Sequence, residues 1–304
     1  MVNTYDFVVV GSGWTGCTIA HELKKAGKKV LIIERRNHLG GIHAETTIEG
    51  IPVGRHGLNV FHTKHDRIWR YVSQFAKMKP YHFSTKAEIQ GELLPFPINL
   101  MTLNIVFGSQ NPEEGRAMVL GDLVPCEKPT NAEQWCLANL GTTLYELLIR
   151  GLVTKTTGKG PKALPPSFLS SLAVRYDFDD ALFPGEHVGV PEGGNQTVFS
   201  ALVEGIEVQY GIDFLEDWKT LVKLGTTIIY TGDIAELHGY KFGPLDYRSA
   251  RFSTEVLNGD YQGCPCVLNC DDDVPFSRIM EPKHLHNPSN KKTVVTMEYP
   301  EKWE

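Results

Sequence analysis

The sequence predicts an α/β chain that combines a parallel-sheet unit with a helical insertion and an antiparallel β-sheet domain. Three observations carry this. An apolar, β-branched run at residues 7–10 leads at once into a glycine-rich turn and an amphipathic stretch. Residues 66–165 then show mainly helical spacing. From Leu172 onward the character changes to short β-type runs. A chain of 304 residues has room for about two domains.

Composition narrows the function. Hydrophobic residues at 41% and charged residues at 22% are ordinary for a globular protein. A net charge of −6 argues against a general nucleic-acid binder. The sequence holds no apolar run of about 18 residues, so no membrane insertion is expected. The start, MVNTYDFVVVGSG, lacks a basic region and runs straight into a strand, so it does not read as a secretory signal. Six cysteines without a short disulfide framework suit a reducing, cytoplasmic setting.

The first strand, 7–10, precedes Gly11-Ser12-Gly13-Trp14-Thr15-Gly16, a G-x-G-x-x-G. Residues 17–26 follow with Ile19, Ala20 and Leu23 on one face and Gly27 as the stop, which reads as a helix. A second strand, 29–33, ends at Glu34. Gly11 permits the tight turn, Gly13 admits a pyrophosphate, and Gly16 allows close helix–strand packing. The helix N-terminus offers free N–H groups and a positive dipole end. Glu34 follows at the spacing at which a carboxylate accepts both ribose hydroxyls. This is a Rossmann-like dinucleotide site, with a glycine-rich packing turn as the plainer alternative. Arg35 and Arg36 beside Gly40 and Gly41 extend it. A second glycine pair lets another loop pass close to the ligand, and this extension resembles the FAD-dependent glutathione-reductase-like flavoproteins.

Further along, residues 66–78 begin the helical insertion, and 95–100 form an extended, proline-held segment. Helices are expected at 111–120 and over 131–149, the latter broken at Gly141. Residues 154–166 read as a loop. Strands are expected at 173–178, 206–210, 226–230, 247–256, 264–269 and 293–299, with a short helix at 197–204 after Gly193 and Gly194. The expected division is an FAD-binding unit at 1–65 plus 195–233, a helical insertion at 66–165, and an antiparallel sheet and substrate domain at 166–194 plus 234–304.

Ordered segments then match one family almost end to end. They include the glycine turn, Glu34 through Gly41, Gly57-Leu58-Asn59-Val60-Phe61-His62-Thr63, and Pro95-Phe96-Pro97-Ile98-Asn99-Leu100. They continue through Val174-Arg175-Tyr176-Asp177-Phe178-Asp179-Asp180, Pro191-Glu192-Gly193-Gly194, Tyr247-Arg248-Ser249-Ala250-Arg251-Phe252 and Arg278-Ile279-Met280-Glu281-Pro282-Lys283-His284. The chain resembles the UDP-galactopyranose mutases. That resemblance implies interconversion of UDP-galactopyranose and UDP-galactofuranose through attack of N5 of reduced FAD on the anomeric carbon, with NADPH or a similar outside donor. It implies a UDP-sugar substrate, no catalytic side chain of its own, no metal, and a second copy of the chain as a candidate partner in a homodimer.

By the same resemblance, Gly11, Ser12, Gly13, Thr15, Gly16, Glu34, Arg35, Arg36, Gly40, Gly41, Asn59, Phe61, His62 and Val208 bind the cofactor. Phe96, Asn99, Thr157, Asn195, Arg248 and Arg278 lie on the substrate side. For the arginines the residues leave plainer readings open: a solvated strand face for Arg248 and Arg251, and an ion pair with Glu281 for Arg278. The pattern departs from the family at Leu58 and Asn59, which replace Pro and a flavin-side His. It departs again at Asn195, where a Tyr is usual, and at Thr157, where a Trp stacks on uracil. No Lys or Arg lies between Arg175 and Lys219. Family members continue for some tens of residues past the strand at 293–299, so a chain lacking the C-terminal part of the FAD-binding unit is expected. Two alternatives stand beside the main reading: a mutase for a different nucleotide sugar, and a truncated, non-catalytic relative. Cys264, Cys266 and Cys270, the acidic run Asp271–Asp273, and His56, His62 and His65 read as structural.

Overall fold

Val8 and Val9 on the first strand, β1 (Tyr5–Val10), are fully buried. Burial on both faces suits the middle of a parallel sheet. In the computed structural model, which describes residues 4–286, 289 and 291–302, β1 pairs in parallel with β2 (Val30–Glu34) on one side. On its other side it pairs in parallel with the strand Gly225–Tyr230, and Glu207–Tyr210 pairs in parallel with β2. Helix α1 (Trp14–Lys25) links β1 to β2 and buries Cys17 and Ala20. It stops at Gly27, whose φ is +74° and whose N–H donates to Lys24 O. A Cβ at Gly16 would overlap the carbonyl of Gly11, so only glycine lets α1 pack this closely.

The chain divides into two compact units. One comprises Met1–Ile48, Pro52–Pro80 and Gly189–Asp246, and holds the parallel sheet. The other comprises Glu49–Ile51, Tyr81–Val188 and Tyr247–Glu304. Its six-stranded sheet runs in the order Arg248–Asn258, Lys292–Lys302, Arg278–Met280, Cys266–Asn269, Thr85–Ile89, Glu92–Phe96. Every pairing is antiparallel except that of Cys266–Asn269 with Thr85–Ile89. The expected antiparallel sheet is thus mixed, and it takes two strands from the stretch read as helical.

Three asparagines start the helices of this unit. Asn99 caps Leu100–Phe107, Asn111 caps Pro112–Asp122 and Asn131 caps Ala132–Asn139, each by accepting N–H groups of the first turn. Helical structure then runs over 142–157, with a π-helical middle at Tyr145–Arg150. The core beneath is built on Leu103, Leu140, Leu144, Tyr145, Leu148 and Ile149.

Two expectations fail here. Residues 173–178 form no strand; Arg175 N–H donates to Ile98 O and Leu100 N–H to Asp177 O, while Val174 and Tyr176 pack on the core. Their alternation reflects a half-buried coil. Residues 154–157, read as loop, continue a helix to Thr157, which ends at Gly158 with φ +68°. The threonine hydroxyls donate back to the carbonyls of Arg150, Leu152 and Val153, so a polar sequence is satisfied inside a helix. Among the described residues, no helix is long and apolar enough to cross a membrane.

Candidate active site

The carboxyl ends of β1, β2 and Gly225–Tyr230 open onto a groove of 420 Å³ within the first unit. Its floor is the turn from Gly11 to Thr15, where α1 begins without a side-chain cap and without an acidic residue in its first turn. The first-turn N–H groups and the positive end of the helix dipole are therefore available to an anion. The space a Cβ would fill at Gly13 is open, whereas a Cβ at Gly11, where φ is +99°, would collide with Thr231 Oγ1. Gly40 and Gly41 bring a second loop in. Gly40 N–H donates to Ser12 O at 2.9 Å, and a Cβ on Gly41 would lie 3.3 Å from Gly13 Cα.

Glu34 borders the groove but is not idle. Its carboxylate accepts from Ser12 N–H at 2.9 Å, Ser12 Oγ–H at 2.7 Å and Arg36 N–H at 2.9 Å. A carboxylate has roughly four acceptor sites, so about one is left for a ribose hydroxyl. The spacing that placed Glu34 gave no hint that it also braces the glycine turn. Arg35 lines the groove and lies 3.6 Å from Glu236. The groove also takes Ile212, Asp213, Phe214, Thr231 and Gly232, which the sequence reading missed. They follow the ends of the two outer strands, so only the strand order could have pointed to them.

Beyond Trp14 and His43 lies a second cavity of 220 Å³, lined also by Asn59, Val60, Phe61, His62 and Asn195. This brings Asn59, Phe61 and His62 together in one cavity. Asn195 sits here too, but it is committed. Its backbone N–H donates to Glu45 Oε2 at 2.6 Å and its side chain to Glu45 Oε1 at 2.9 Å. Burial pushes the Glu45 carboxyl up, and the Asn195 donors oppose that rise. His43 is lowered by burial. Gly16 lies behind the turn as a packing residue. Val208 is a correction: it pairs with Ile32 in mid-strand and packs into the core around Val9 and Ile32, not into the groove.

The remaining residues belong to the second unit. Arg248 is exposed and carries no ion pair among the described residues; its guanidinium lies against Gly158, next to Thr157. Thr157 turns its hydroxyl back to Val153 O and accepts from Lys159 N–H. Arg251 pairs with Glu301 at 2.8 Å and stacks over Tyr299 at 4.3 Å. Arg278 is held by Glu298, with Nε at 2.8 Å. Glu281, its partner in the plainer reading, is instead fully buried and accepts from Tyr261 N–H and Gln262 N–H. Phe96 and Asn99 are corrections as well. Phe96 is buried in the apolar core, and the Asn99 side chain accepts from Met101 and Thr102 N–H as a helix cap. Neither side chain faces outward to a substrate. Among the described residues no group of three or more His, Cys, Asp or Glu is placed to hold a metal ion.

Comparison with known proteins shows the family and the fold. Residues 147–304 match the family model described as UDP-galactopyranose mutase, and residues 9–75 match a model of the NAD(P)-binding Rossmann-like domain. A probable UDP-galactopyranose mutase of Klebsiella pneumoniae is 35% identical over 291 residues, which cover 93% of this chain and 75% of the relative. A dTDP-fucopyranose mutase of Escherichia coli is 32% identical, covering 91% of this chain and 76% of the relative. The crystal structure of a reduced UDP-galactopyranose mutase superposes with a TM-score of 0.74 at 15% identity, over 98% of this chain and 75% of that one, a likeness of fold.

Proposed function

This chain belongs to the UDP-galactopyranose mutase family, and from that premise we propose that it binds FAD in the groove at Gly11–Thr15 and interconverts UDP-galactopyranose and UDP-galactofuranose. The observation that carries the cofactor reading is the uncapped start of α1 opening onto a groove that Glu34 borders on one side and the Gly40–Gly41 loop on another. A pyrophosphate fits the free N–H groups and the open space at Gly13. Glu34 has an acceptor site left for a ribose hydroxyl. Cofactor binding is assigned to residues 1–65 and 195–233, which supply every groove-lining residue except Glu236.

When bound in its reduced form, with electrons from NADPH or a similar donor, FAD supplies a nucleophilic nitrogen toward the anomeric carbon. The chain's own part is to hold the sugar nucleotide and to offset charge as the diphosphate leaves. Arg248 is the residue for that task, because its guanidinium is exposed and unpaired among the described residues and can fork onto a phosphate. Arg278 already gives Nε and one Nη to Glu298, which offsets much of its charge, so its contribution is the smaller. Trp14, Phe61 and Asn195 wall the inner cavity, where water must be kept from the reacting carbon.

A second reading has its own observation. Asn195 is locked onto Glu45, and Thr157 offers no aromatic face for a base, so the sugar nucleotide could be other than UDP-galactose. Chromatography of products from the FAD-loaded, dithionite-reduced protein separates the two. Conversion of UDP-galactofuranose to the pyranose form is the expected result. Conversion of a dTDP-6-deoxysugar alone would favour the second reading, and conversion of neither would contradict both.

A further inference from the structure

The cofactor groove and the inner cavity share two lining residues, Trp14 and His43. Trp14 is braced on its far side by Phe199, with ring centroids 4.8 Å apart, and by Phe61 at 5.9 Å. His43 meets Trp14 edge-on at 6.2 Å. It is carried by the 3-10 turn Gly41–His43, where its N–H donates to Gly40 O at 2.9 Å. The glycine pair that lays this loop against Gly13 therefore also sets the position of the imidazole.

The neighbouring polar groups are engaged. The Asn59 amide donates to Gly57 O at 3.2 Å, and Asn195 is held by Glu45. Neither ring nitrogen of His43 has a hydrogen-bond partner among the described residues. The ring is half-buried at the junction of two cavities, with its polar atoms uncommitted. At residues 58–59 the chain offers Leu and Asn and no imidazole.

We propose that His43 contacts the flavin ring where it passes from the groove into the inner cavity, and that its N–H favours the reduced over the oxidised ring. The inference rests on FAD being the occupant of the groove. Burial lowers the basicity of the imidazole, so at neutral pH it is uncharged, with one N–H donor and one acceptor nitrogen. With neither nitrogen fixed by the protein, the tautomer is free to suit the ligand. An N–H aimed at an electron-rich ring stabilises the negative charge that reduction adds.

The test compares wild-type protein with His43→Leu and His43→Asn, reading FAD affinity by fluorescence titration and the midpoint potential of the bound flavin by dye-coupled reduction. His43→Leu should weaken FAD binding about tenfold, the size of one lost hydrogen bond. It should also lower the potential by about 30 mV, a tenfold loss of preference for the reduced ring. His43→Asn, which keeps an N–H donor, should stay within about threefold of wild type in both readings. Unchanged affinity and potential in His43→Leu would overturn the inference while leaving the cofactor reading intact. Equal losses in both variants would overturn it too, because loop shape rather than the hydrogen bond would then be responsible. Wild-type protein that takes up no FAD would remove the cofactor reading and the role of His43 together.

Discussion

Arg248 and Arg251 stand three positions apart on one strand and meet different surroundings. Arg251 is spent on Glu301 and Tyr299, while Arg248 lies open beside Gly158. Arg248→Ala should therefore weaken UDP binding by about tenfold or more, the scale of a charge-assisted hydrogen bond. Arg251→Ala should stay within about threefold, as for exposed pairs. Calorimetric titration with UDP reads both, and equal losses would remove Arg248 from the diphosphate site. Glu34→Ala should cost FAD affinity through the ribose contact and through the loss of both bonds to Ser12. Retention of FAD at wild-type affinity would exclude the ribose role. Spacing alone placed Glu34 and the glycines, because backbone geometry dictates those residue types locally. It could not pair Arg278 with Glu298 rather than Glu281, because that choice depends on which strands become neighbours. Nor could it see that Asn195 and Glu45, 150 positions apart, share two hydrogen bonds.

Helix starts were the most legible elements. Asn111 and Asn131 announced theirs, since a short amide side chain before a periodic run satisfies first-turn N–H groups. Asn99 does the same work, yet it reads as a substrate residue when only the motif around it is considered. Asn99→Ala should lower stability by about 1 kcal/mol through loss of the cap, and it should leave UDP affinity unchanged. Thermal melting and UDP titration together check this, and a loss of affinity without a loss of stability would return Asn99 to the substrate side. The strands Thr85–Ile89 and Glu92–Phe96 were illegible for the opposite reason. They are short and charged; Thr85–Ile89 pairs with Cys266–Asn269, far away in sequence, and Glu92–Phe96 then pairs with Thr85–Ile89 at the sheet edge. The helix over 151–157 hid behind its threonines, whose low propensity is offset by hydroxyls bonding back along the helix.

At the scale of the molecule, the first two strands of the parallel sheet and the Gly11–Glu34 side of its groove were readable from residues 7–41, whereas the wall at Ile212, Asp213, Phe214, Thr231 and Gly232 was not. The second unit was readable only as a set of pieces, because its sheet joins distant strands. The six thiols of the chain give a test of packing in both units. Cys17, Cys136, Cys266 and Cys270 are buried and pushed up to about 12 by that burial, and Cys264 is raised as well. Thiolate is the reactive form, so at pH 8 these five should resist alkylation in the native protein. Cys126 is more accessible than the other five. One thiol of six should react before unfolding and all six after it; early modification of Cys264, Cys266 or Cys270 would show that the six-stranded sheet is not packed as described. The central claim is that the groove at Gly11–Thr15, bordered by Glu34 and Gly41, is a flavin site. The visible absorption spectrum of the purified chain, titrated with FAD, tests it most directly. Saturable flavin bands that shift on binding, bleach with dithionite, and are weakened in Glu34→Ala are the predicted result. A protein that stays colourless after incubation with FAD and gel filtration would contradict the account.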